Sequence, residues 1–80
     1  MNKNELVEVF ESAIENGDSY VSVYMDIEGM VGHEIITNQL VNLPDKLTYY
    51  VNTYDDNLYH KYADKAIRIV DVVSHDSYIF

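Results

Sequence analysis

The amino-acid sequence predicts an α+β fold in the order helix, strand, strand, helix, strand (α-β-β-α-β), a small, mainly antiparallel sheet with two helices on one face. Three observations carry this. Apolar residues recur at helical spacing over 4–15 and again from 44 onward, they alternate with polar ones over 20–28, and a β-branched run fills 66–74. Eighty residues are expected to make one domain, 1–80, too short a stretch to divide into two.

In "NELVEVFESAIE", residues 4–15, Leu6, Val9, Phe10, Ala13 and Ile14 share one helical face. Asn2 stands three residues before Glu5, the spacing of a capping box, with Asn4 as the competing cap; Asn16-Gly17 supplies a left-handed stop. "YVSVYMDIE", residues 20–28, alternates Val21, Val23, Met25 and Ile27 with Tyr20, Ser22, Tyr24, Asp26 and Glu28, the period of a half-buried strand. Gly29 and Gly32 bracket a connection that allows positive φ, so "HEIIT", residues 33–37, is expected to return as the second arm of a hairpin with Met30 and Val31 at its tip.

Pro44 and Asp45 suit a first helical turn, and Leu47, Tyr50, Val51, Tyr54 and Leu58 then repeat at helical spacing. The helix is expected over 44–57, stopped by Asp55-Asp56-Asn57 with Asn57 as a left-handed cap. In "AIRIVDVVS", residues 66–74, Ile67, Ile69 and Val73 fall on one face and Val70 and Val72 on the other, which predicts a central strand. Residues 75–80 are expected to fray, although Ile79 and Phe80 are apolar enough to dock.

Composition narrows the function. The apolar fraction of 48% is that of a globular chain, and the absence of cysteine removes disulfides and thiolate metal sites and makes a cytoplasmic address the expectation. No apolar run approaches membrane-spanning length and the start lacks a signal-peptide pattern, so neither secretion nor membrane insertion is expected. Fourteen acidic residues against five basic ones give a net charge of −9. Direct nucleic-acid binding and docking on anionic lipid both need a cationic face, so the expected partner is a basic protein; acidity that serves only solubility is the competing reading.

No catalytic chemistry is predicted. The serines lack an elbow motif, no glycine-rich loop cradles phosphate, Arg68 is the one arginine, and His33, His60 and His75 have no ligand spacing. Asp26 with Glu28, and Asp55 with Asp56, are carboxylate pairs that so acidic a chain produces without selection for chemistry. The expectation is a non-enzyme with no metal and no cofactor.

Recognition remains. Glu5, Glu8, Glu11 and Glu15 fall opposite the apolar face of the first helix, one charge per ~5 Å of axis, against one phosphate per ~3.4 Å along a DNA strand. Tyr24, Asp26 and Glu28 on the outer strand face, with Tyr49, Asp55, Asp56 and Tyr59 on and after the second helix, complete the candidate partner-binding residues. Two accounts of the tyrosines stand together: contact with a partner, or shielding of a small sheet or homodimer seam.

The run "LPDKLTYYVNTYDDNLYHKYADKAIRIVDV", residues 43–72, resembles small acidic proteins encoded by phages and prophages of Gram-positive bacteria, in which a KLxYYxxxYDxxL helix precedes an IRIV strand. The resemblance implies a mobile-element origin and carries over no catalytic residue. Short, acidic, cysteine-free proteins of that setting look like inhibitors of host defence that offer carboxylates in place of nucleic-acid phosphates. The expected function is therefore that of a phage-type binding protein whose acidic surface engages and inhibits a basic, nucleic-acid-binding host defence protein of the bacterial cytoplasm, in the anti-CRISPR or anti-restriction manner. The alternative is a structural or regulatory phage protein acting through self-association.

Overall fold

A computed structural model describes residues 1–75. The expectations for Ile79 and Phe80 lie outside the described residues. The elements are α1 (Lys3–Asn16), β1 (Tyr20–Ile27), β2 (His33–Gln39), a 3-10 turn at Leu40–Asn42, α2 (Leu43–Thr53) and β3 (Ile67–His75). The strands form an antiparallel sheet in the order β2-β1-β3, and the helices cover one face of it. This is the α+β class and the α-β-β-α-β order that the periodicities predict.

Leu6, Phe10 and Ala13 of α1 meet Val21, Val23 and Met25 of β1 and Ile69 and Val72 of β3, while Leu43, Tyr50, Tyr54 and Leu58 close the core from the α2 side. The hairpin between β1 and β2 turns at Gly29 (φ 86) and Gly32 (φ 79), backbone that a side chain would strain.

The central strand is β1, not the 66–74 run. A strand that is β-branched on both sides reads as one flanked by neighbours, but β3 obtains its second neighbour from irregular chain. Behind α2 the backbone returns along its outer edge: His60 N donates to Ile67 O and Ile69 N donates to Leu58 O, both at 2.9 Å, and Tyr59 bridges Arg68. The face assignment in β3 also differs. Tyr24 pairs with Asp71 and Met25 with Ile69, so Val70 is bulged out of register and side-chain parity inverts after it. Val72 therefore joins Ile69 in the core, while Val73 faces the open side.

The second helix ends at Thr53, four residues short of the expected stop, and Tyr54 caps it in an extended conformation. Asp55 is the cause. Its Oδ1 accepts from Asn57 N (2.9 Å) and Tyr59 N (3.0 Å), an Asx turn that competes with helical bonding. The left-handed residue is Leu58 (φ 65), not Asn57. Its strain is offset by a completely buried side chain and by bonds at both ends of its peptide group.

Asp64 (φ 48) and Lys65 (φ 63) are consecutive left-handed residues closed by Ala66 N to Ala63 O at 2.9 Å, the pattern of a type I′ turn. Aspartate tolerates its position; lysine does not suit the second one. Lys65→Gly is expected to stabilise the fold by about 0.5–1 kcal/mol, because the left-handed penalty of ~1–2 kcal/mol exceeds the loss of an exposed cation–π contact. A denaturant titration checks this, and an unchanged or lower midpoint would contradict the turn assignment.

Candidate functional site

α1 is fixed at both ends by local chemistry. Glu5 N donates to Asn2 Oδ1 (3.0 Å) and Asn2 N donates to Glu5 Oε1 (3.2 Å), completing the capping box, and Gly17 (φ 73) donates to the Ala13 and Ile14 carbonyls. With Leu6, Phe10 and Ala13 held in the core, Glu5, Glu8, Glu11 and Glu15 are all exposed along the opposite side. Lys3 is the one cation in the helix, and its Nζ donates to Val51 O at 3.0 Å, toward α2 and away from the stripe.

The other basic residues are placed likewise. Lys46 lies over the Tyr49 ring (5.6 Å to its centroid), and Lys65 (5.8 Å) and Arg68 (5.1 Å) lie over Tyr59. Lys61 Nζ donates to Asn52 O and Arg68 Nε to Asn57 O. Every Lys and Arg thus reaches a carbonyl or a ring around α2 and the segment that follows it. The α1 carboxylates keep their field. A signal of this segregation was present in the chain, since residues 4–45 contain no Lys or Arg.

The remaining candidates do not join that stripe. Tyr24 and Asp26 point to the sheet face opposite the helices, where Tyr24 lies between Ile35 and Asp71 and Asp26 between His33 and Arg68. Asp26 and Glu28 line a concavity of about 320 Å³ with Tyr59, Lys65, Ala66 and Arg68, so charges of both signs lie around it. Asp55 is occupied in its Asx turn. Asp56 is exposed beside the α1 N-terminus, where its carbonyl accepts from Lys3 N (3.0 Å), in a cleft of about 370 Å³ shared with Asn2, Lys3, Asn4 and Asn57. Tyr49 is about half exposed on α2, its ring edge-on to Tyr50 at 5.2 Å. The eleven residues therefore lie on separate surfaces, and the four glutamates of α1 form the one continuous acidic face among them.

The sheet face opposite the helices also carries a polar cluster that strand alternation places there but does not connect. Ser22 Oγ shares hydrogen bonds with Thr37 Oγ1 (2.9 Å) and His75 Nε2 (2.7 Å), and the Tyr20 ring stacks on His75 at 5.7 Å. A serine bonded to a histidine has the elements of an activated nucleophile, yet Ser22 is fully buried, so its oxygen is closed to a substrate. The cluster ties three strands together at their polar face.

On the helix side, burial raises the Tyr50 hydroxyl above its ordinary value against the pull of a hydrogen bond to Asn38, with repulsion from Tyr49 adding to the rise. Burial first, then Tyr49, Tyr50 and Glu34, pushes Tyr54 up to about 12. Among the described residues no cluster of His, Asp or Glu is arranged to hold a metal ion, and no helix is long and apolar enough to cross a membrane. No protein-family model matches the chain, nor does any curated protein or solved structure at a significant level.

Proposed function

We propose that this chain is a non-enzymatic binding protein of phage type, whose acidic α1 face engages and inhibits a basic, nucleic-acid-binding protein of a bacterial host's defence. The observation that carries the reading is charge segregation: Glu5, Glu8, Glu11 and Glu15 are exposed on one helix side, while all five basic side chains are drawn to α2 and the 54–68 segment. A rigid, capped helix presents those carboxylates at fixed spacing, so a cationic groove built for phosphates meets them with little ordering cost. The choice of a defence enzyme as target class rests on the mobile-element origin that the sequence resemblance of residues 43–72 implies, and the charge segregation carries the rest.

The test is capture of a basic nucleic-acid-binding protein on the immobilised chain. Retention is expected at low salt and loss at high salt, with competition by duplex DNA. Reversing Glu8, Glu11 and Glu15 to lysine moves the charge of that face by six units and is expected to lower affinity at least a hundredfold while the far-ultraviolet circular dichroism stays unchanged. Retention unaffected by the triple reversal would overturn the reading.

A further inference from the structure

From the uncovered edge of β2 we infer that two copies of this chain pair through it, antiparallel and about a two-fold axis, to make a continuous six-stranded sheet. β2 is a terminal strand of the sheet, seven residues long, and among the described residues no strand lies on its far side. Its backbone groups there are an open template for another strand. On the other side of the sheet, loop chain pairs with the first three residues of β3, Ile67–Ile69, whereas β2 has no backbone partner along its outer edge among the described residues.

Two properties select a second copy as the occupant. The first is charge. A chain of net charge −9 repels its own copies almost everywhere, but from Gly29 to Pro44 it carries Glu34 as its one acidic residue and no Lys or Arg. That near-neutral strip holds five of the large apolar residues exposed on the surface: Met30, Val31, Ile35, Leu40 and Val41, with Val31 fully exposed and Val41 79% exposed.

The second is self-complementarity. With Ile36 on the two-fold axis, Ile35 stands opposite the partner's Thr37, Glu34 opposite the partner's Asn38 and His33 opposite the partner's Gln39, so no carboxylate meets its own copy. The same register lays the Met30-Val31 tip of one hairpin beside Leu40 and Val41 of the other, at both ends of the seam. Those flanks enlarge a narrow strand contact toward the roughly 600–1,000 Å² per partner that stable dimers bury. The pairing is independent of the proposed acidic interaction and responds oppositely to salt, because screening relieves repulsion between like-charged copies.

Sedimentation velocity over a concentration series is expected to give a species of twice the 9.3 kDa chain mass, more populated at high salt. Ile35→Lys, on the open face, is expected to return the mass to one chain without changing the circular dichroism. The chain has no cysteine, so crosslinking reads the register directly. Ile36→Cys is expected to form a disulfide with itself, since paired antiparallel residues lie within disulfide reach, and mixing Ile35→Cys with Thr37→Cys protein gives the same product should Ile36→Cys fold poorly. Ser12→Cys, on exposed α1, is the non-crosslinking control. A single-chain mass at every concentration, a dimer that survives Ile35→Lys, or crosslinking no faster than the control would each overturn the pairing.

Discussion

Tyr50→Ala is expected to remove about 3–5 kcal/mol of stability, the range for truncating a fully buried aromatic ring. At 0.05–0.15 kcal/mol per residue, a domain of this size holds about 4–12 kcal/mol in all, so much of the variant should be unfolded in water. The ring is 1% exposed and lies at the junction of the two helices, 5.7 Å from Phe10 and 5.9 Å from Tyr54. Removing it separates α1 from α2 as well as emptying volume. Tyr50→Phe keeps the ring and removes only the hydroxyl, a cost of about 1 kcal/mol. Urea unfolding followed by circular dichroism should rank wild type above Tyr50→Phe and both far above Tyr50→Ala. An alanine variant with the wild-type midpoint would place this ring outside the core.

Alkaline pH is expected to act on the same cluster. Tyr54 titrates at about 12 in the folded chain, against 10.0 for an unburied tyrosine, and Tyr50 is raised as well. A raised folded pKa means that the folded state keeps its proton longer. The stabilisation is whole below pH 10, where both states are protonated, and declines as pH rises from 10 to 12, where the unfolded chain alone ionises. Tyr54 accounts for a loss of about 2–3 kcal/mol over that window, with Tyr50 adding to it in the same direction. Tyr54→Phe isolates the effect. Its hydroxyl makes only a weak contact with Met25 Sδ at 3.7 Å, so the variant should match wild type at neutral pH and lose less stability above pH 10. Parallel pH curves for the two proteins would contradict the burial of that hydroxyl.

What the sequence made legible followed from period and local chemistry. The face of α1, the capping box of Asn2 and Glu5, the left-handed Gly17 and the alternation in β1 each depend on residues within one turn or one strand, and all stand as expected. The misses came from contacts between distant residues. Nothing local to Val70 announces a bulge, so Val72 and Val73 exchanged faces. The central position of β1 depends on chain returning beside β3, and the early end of α2 on an Asx turn that outcompetes one more helical turn. In the candidate site the glutamate stripe was readable because helical spacing dictates it. The other acidic and aromatic candidates were not separable by spacing, since the fold sends them to opposite sides of the sheet or spends them on turns, as with Asp55.

The central place of β1 bears on how the chain assembles. Its pairing with β2 closes through a short turn, whereas Val23 must wait for Val72 and Ile27 for Ile67, partners that the ribosome adds only after α2 and the irregular segment behind it. During synthesis the hairpin can form early with an apolar strand unpaired along one side, and β3 arrives to seal it. Closure of that second edge, with its large loop entropy, is the step expected to limit the folding rate, and substitutions at Ile69 should slow folding where those at Ile35 leave it unchanged.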